Sequence, residues 1–282
     1  MSTITTSGSD LDEPDLYRSG RLKRARARRS RFAAYAAGAA LLAAVVLLSD
    51  WETIQRSYLD GERAREMFPD IVTIAARNTV VYTVFSFAFG VVLGLIAALL
   101  RLSNIRVYRW AAAVYIEVFR GLPALLTILF IGLITPIALD FRYPEILGVP
   151  TGGIAALSLV AGAYLAETIR AGIEAVPKGQ VEAARSLGMT NGEAMRFVVV
   201  PQAFRIVIPP LTNELVLLIK DTSLLAILGT TDVTRELTQF GRAKAGDFNG
   251  TSLVVAGALY LVITIPLTRL VAVLERRFKA AR

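Results

Sequence analysis

The sequence predicts an all-α polytopic membrane protein of about six transmembrane helices, five forming a core and one added at the N-terminus. Three observations carry that prediction. The chain of 282 residues is 54% hydrophobic and 19% charged, against about 45–50% and about 25% in soluble domains. Its apolar residues are gathered into blocks, five of which run uncharged for 18 residues or more. Its Lys and Arg residues are shared unequally between the segments that separate those blocks.

The elements follow in order. Residues 1–31 form a basic N-terminus, whose first part, "MSTITTSGSDLDEPDLY", is polar and acidic and reads as disordered. The cluster "RLKRARARRSRF" then leads into Phe32–Ser49, an uncharged run of 18 residues. A basic stretch before an apolar one resembles a signal peptide, but a long polar tail precedes it and no small-x-small cleavage site follows. Residues 50–70 read as a loop on the outer side, and Asp50–Arg77 holds six acidic and four basic residues. A continuous membrane core is expected from Ile71 to Phe278.

A helix rises 1.5 Å per residue, so about 30 Å of hydrocarbon takes roughly 20 apolar residues. Asn78–Leu100, uncharged for 23 residues, is the clearest span. Gly121–Leu139 is uncharged for 19, and Ile146–Ala166 and Phe248–Thr268 for 21 each. A weaker span starts at Ile206, contains Glu214 and meets Lys220 and Asp221. With both termini inside, the inner segments hold 22 of the 31 Lys and Arg residues. That asymmetry fits the positive-inside rule and predicts cytoplasmic termini. It also explains the net charge of +8 without a nucleic-acid partner, and the basic cluster additionally suits anionic lipid.

The chain contains no Cys and no His. Disulfides, thiolate chemistry and Ser–His or Cys–His catalysis are thereby excluded. No G-x-x-x-x-G-K-[ST] phosphate loop occurs either, so no ATP site of that type is expected in this chain. No metal site and no resident cofactor are expected.

The inner loop 176–204, "VPKGQVEAARSLGMTNGEAMRFVVVPQAF", is rich in local structural signals. Pro177 suits a first helical turn. Val181, Ala184 and Leu187 space along one helix face, with Ala183 and Ala184 keeping it slim. Gly188 supplies a left-handed stop, and Thr190 with Glu193 gives a capping box for a second helix. That second helix is expected to end by Pro201. The loop is then two short helices on a glycine turn, either a plain connector or a docking device. A DNA-binding helix pair is excluded because Glu182 and Glu193 offset Lys178, Arg185 and Arg196, leaving no basic stripe.

"EAARSLGMTNGEAMRFVVVP" resembles the EAA loop of permease subunits from binding-protein-dependent ABC importers. Glu182, Ala183, Ala184, Gly188, Val198, Val200 and Pro201 match that family's pattern in type and spacing, with Val where Ile and Leu are commoner. "YIEVFRGLP" (115–123) and "NELVLLIKDTSLLAILG" (213–229) resemble the family's branch for polar amino acids. The resemblance covers roughly Ile71 to Phe278. It implies a multi-pass subunit of the bacterial cell membrane with a translocation path for glutamate, glutamine, arginine or histidine. Its implied partners are a cytoplasmic ATPase dimer that binds the ATP, a second permease subunit of the same or a related chain, and an extracytoplasmic binding protein. Glu182, Ala183, Ala184, Gly188 and Pro201 would couple to the ATPase. The outer segment 230–246 and the first outer loop are where the binding protein would touch.

Charges within the spans are expensive and mark function or internal pairing. Asn213, Glu214, Lys220, Asp221, Thr222 and Ser223 form a polar stripe that either lines the path or gate, or joins helices through ion pairs. Glu117 and Arg120, three apart, are placed to form a structural ion pair. Gly90 and Gly94 form a G-x-x-x-G that permits close helix packing. The competing function is a secondary transporter or channel without an ATPase. That reading predicts inverted repeats, which the two halves of the sequence do not show.

Overall fold

A computed structural model describes residues 13–229, 235–245 and 249–279. The chain divides into two units, 1–54 and 55–282. In the first, α1 (Glu13–Leu48) is one helix of 36 residues, so helical backbone reaches back to Glu13. The expected disorder through Tyr17 does not hold for residues 13–17, and residues 1–12 lie outside the described residues.

The second unit begins well before Ile71. After α2 (Trp51–Tyr58), α3 (Gly61–Glu66) is capped by Asp60, whose side chain accepts from the N–H groups of Glu62 and Arg63. The Ser57 carbonyl accepts from Gly250 N–H at 2.6 Å, and Asp60 N–H donates to Thr251 Oγ1 at 3.1 Å. Met67, 1% exposed, joins Ile71, Ala75, Leu237 and Ala256 in one apolar cluster. These contacts draw the acidic segment into the core, which moves the expected boundary forward from residue 71.

A π-helical turn, Ile71–Ala76, leads into α4 (Arg77–Leu102). α5 (Arg106–Gly121) follows, then α6 (Ala124–Ile128), a π segment (Leu129–Ile134) and α7 (Thr135–Ala138). The expected straight span Gly121–Leu139 is corrected here. Leu122 and Pro123 are extended, with ψ of 139° and 132°, because proline disfavours helical backbone in the residue before it. The two helical stretches consequently meet at a bend of 108°. Ala124–Ala138 alone reaches only about 22 Å at 1.5 Å per residue, short of a bilayer.

The chain then turns through the antiparallel pair β1 (Glu145–Ile146) and β2 (Val149–Pro150). Leu147 and Gly148 take φ of 50° and 80°, as a tight two-residue hairpin requires. α8 therefore starts at Thr151, not Ile146, and runs to Glu174. It is followed by α9 (Lys178–Ser186), α10 (Asn191–Ala194), a π turn (Met195–Val199) and α11 (Val200–Asp221). A 3-10 turn (Thr222–Ile227), α12 (Leu237–Lys244) and α13 (Thr251–Lys279) complete the described residues. Among the described residues, five helices are long and apolar enough to cross a membrane, or six with the bent pair.

α8 is the central post: 72% of its apolar window is buried, against 22% for the helix ending at Ile227 and 17% for α13. Its main neighbour is α4, and the approach depends on glycine. A Cβ on Gly94 would lie 2.8 Å from Leu165 Cβ and 3.0 Å from Gly162 O. Helices in lipid gain by packing and not by escaping water, so small residues at a crossing permit the closest association. Tyr82, Ile128, Leu157, Leu165, Leu218 and Leu225 fill the core around this post.

Candidate functional site

The loop 176–204 is built as its local sequence requires. α9 closes on a full Schellman motif: Met189 N–H donates to Ala184 O at 3.2 Å and Gly188 N–H to Arg185 O at 3.0 Å, with Gly188 at φ +91°. Thr190 and Glu193 form the reciprocal capping box, with Thr190 N–H donating to Glu193 Oε2 at 2.8 Å. The orphan backbone groups on both sides of the turn are thus satisfied locally, which makes the loop stiff.

The face assignment differs from expectation in two places. Ala184 is 5% exposed and turns into the chain's own body, where Val181 packs with Val176, Val199 and Ala203. Leu187 is 84% exposed, because the helix ends there and its side chain leaves the buried face. The free face presents Glu182, Ala183, Arg185, Ser186, Leu187 and Gly188. Beside α9 an open groove of about 570 Å³ lies between Val181, Glu182, Arg185, Met195 and the end of α8.

Pro201 does not end the second helix. Asn191–Ile227 is one helical segment of 37 residues. A π turn at Met195–Val199 precedes the proline at the start of α11, and the altered register there spares its ring the usual clash. Pro209 and Pro210 also sit inside α11, near Thr212, whose hydroxyl donates to Ile208 O and Pro209 O.

The polar stripe on α11 splits in two. Glu214 and Asp221, seven apart, line a cavity of about 360 Å³ with Leu122, Ala124, Tyr164 and Leu217. Asn213 and Lys220, also seven apart, lie on a neighbouring exposed face, since one residue along a helix is a rotation of about 100°. Thr222 is fully buried, within 3.2 Å of Tyr260 Oη, and Ser223 donates to Lys220 O. Those two hydroxyls therefore serve helix ends and helix contacts, not the cavity wall.

The expected Glu117–Arg120 ion pair is not formed among the described residues. Arg120 instead places its guanidinium 5.5 Å from the ring centroid of Tyr164, a favourable cation–π geometry. The break at Leu122–Pro123 sets Arg120 at the end of α5 and frees it to reach across to α8. Tyr164 is thus a wall residue that sequence reasoning missed. On α8 itself, Arg170 bridges Glu167 and Glu174, the latter at 2.6 Å. The segment 230–234 and Gly246, expected to meet a binding protein, lie outside the described residues.

The family described as "Binding-protein-dependent transport system inner membrane component" matches residues 90–280. The arginine transport system permease protein ArtQ of Bacillus subtilis is 35% identical over 202 residues, covering 72% of this chain and 90% of that protein. The L-cystine transport system permease protein TcyB of the same organism is 36% identical, over 80% of this chain and 90% of its own length. A solved structure of an amino acid ABC transporter with histidines superposes with a TM-score of 0.69 at 32% identity, covering 78% of this chain and 99% of that one. The chain belongs to the binding-protein-dependent transport system inner membrane components.

Proposed function

We propose that this permease is driven by a separate ATPase dimer seated against the exposed face of α9, and that α11 carries the movement to the cavity. The observation that carries this reading is the unbroken helical segment Asn191–Ile227. At 1.5 Å per residue it spans about 55 Å, with the stiff loop at one end and Glu214 and Asp221 further along. Glu182, Ala183, Leu187 and Gly188 meet the ATPase, while Ala184 ties α9 to the chain's own body. ATP is bound and hydrolysed on that partner, and both termini lie in the cytoplasm. Asn213 and Lys220, exposed on a mid-span helix, are costly against lipid. A second permease subunit facing them across a water-filled path removes that cost, and an extracytoplasmic binding protein delivers the substrate.

Two carboxylates in the cavity wall, Glu214 and Asp221, favour an amino acid with a cationic side chain. The test is reconstitution with its ATPase and binding protein, followed by labelled arginine and glutamate uptake. Uptake is expected to require ATP and binding protein and to prefer arginine, and Glu214→Gln should lower it about tenfold or more. Uptake driven by an ion gradient alone would overturn the coupling, and a preference for glutamate would overturn the substrate class.

A further inference from the structure

At the end of α11 remote from the 176–204 loop, a buried carboxylate is left without a part in the site above. Glu236 is 0% exposed. As the N-cap of α12 it accepts from the backbone N–H groups of Thr238 and Gln239, both at 2.6 Å. Those two donors already complete a helix cap. A third comes from another helix: Tyr260 of α13 donates its hydroxyl to Glu236 Oε2 at 2.9 Å.

With its one proton committed to Glu236, the Tyr260 oxygen acts toward its other neighbours as an acceptor. They are Thr238 Oγ1 at 3.4 Å and Thr222 Oγ1 at 3.2 Å. Thr222 directly follows Asp221, which lines the cavity. It shares its proton with the Ile219 carbonyl, 2.6 Å away. Hydrogen bonds therefore run unbroken from the cavity end of α11, through α13, to the first turn of α12. α12 also reaches over this end directly, through Arg242 to the Ala226 carbonyl at 3.4 Å.

Further features surround the α12 cap. Arg235, just before the cap, takes φ of 41°, a left-handed backbone that ordinary side chains resist. On the α4 side, Thr79 Oγ1 accepts from Leu237 N–H at 3.2 Å. One turn along that same face stands Tyr82, fully buried, with a hydroxyl that has no partner among the described residues. A buried hydroxyl without a partner is unfavourable, and a carboxylate has lone pairs enough for another donor. Burial pushes the Glu236 carboxyl above its usual range, against the hydrogen bonds that favour its charged form.

We propose that Glu236 is a positioning residue for transport, latching α12 over the cavity end of α11 through Tyr260 and Thr222. Release of the latch exchanges the Tyr260 donor for the waiting Tyr82 hydroxyl. The inference rests on the reading above, in that the chain works with an ATPase and a binding protein.

The test is ATP hydrolysis per assembled complex, with and without binding protein, for the wild type, Tyr260→Phe, Thr222→Val and Tyr82→Phe. The Phe and Val variants keep shape and leave the α12 cap intact. Tyr260→Phe and Thr222→Val should each raise hydrolysis without binding protein about fivefold, the population shift for losing one net hydrogen bond. Uptake per ATP should fall alongside. Tyr82→Phe should act in the opposite sense, lowering the stimulated rate without raising the unstimulated one. A merely structural role lowers both rates together with assembly. Proportional losses, or an unchanged ratio in all three variants, would overturn the latch while the wild type still responds to binding protein. A wild type that ignores binding protein would overturn the underlying reading, and the latch with it.

Discussion

The loop end of α11 exposes its polar groups and satisfies them within a few residues. Thr190 and Glu193 bond each other, and Gly188 and Met189 close onto α9. The cavity end has buried polar groups that are satisfied across the chain: Thr222 reaches Tyr260, 38 residues on, and Leu237 reaches Thr79, 158 residues back. An end closed on itself moves as one piece without breaking a bond to the rest of the protein. An end bonded to other helices exchanges hydrogen bonds whenever it moves. The first suits receiving a push, and the second suits deciding when a movement occurs.

Substitutions at the two ends should therefore differ in kind as well as size. The largest loss of stability is expected for Glu236→Ala, which leaves two backbone N–H groups and the Tyr260 hydroxyl unsatisfied. About 3 kcal/mol is expected, read as a lower unfolding midpoint of the purified chain in detergent. Ala184→Leu comes next, at about 2 kcal/mol for overpacking a buried site, checked by the same melt. Gly188→Ala should cost about 1 kcal/mol, since alanine resists the positive φ. The smallest effect on stability belongs to Ala183→Leu, within about 0.5 kcal/mol for an exposed site, although ATP-driven uptake should fall sharply. If Ala183→Leu and Ala184→Leu changed stability alike, the division of α9 into a seated and a docking face would fail.

The loop end was legible in the sequence because its structure is local. Capping boxes, glycine stops and the E-A-A spacing are set by neighbours in the chain, and uncharged runs mark spans for the same reason. What escaped depended on helix phase or on partners far away. The separation of Glu214 and Asp221 from Asn213 and Lys220 follows from 100° per residue, so that signal was present in the spacing. The bend at Leu122–Pro123 also had a local sign, proline after an apolar residue. Arg120 over Tyr164, and Glu236 with Tyr260, had none, because tertiary packing alone brings those pairs together. Pro201 misled because a π turn one step earlier absorbs its clash, and no residue pattern announces that turn.

In the coupling proposed above, α9, α10 and α11 move as one lever between the ATPase and the cavity. The chain has no native cysteine, so spin labels at Ser186→Cys and Ile227→Cys in the assembled transporter report on that lever alone. A rigid lever gives one label-to-label distance, the same with and without a bound ATP analogue, while the accessibility of a single Leu217→Cys in the cavity wall changes between the two states. Two distances that interchange with nucleotide would contradict it, because the segment would then be bending where it is required to push.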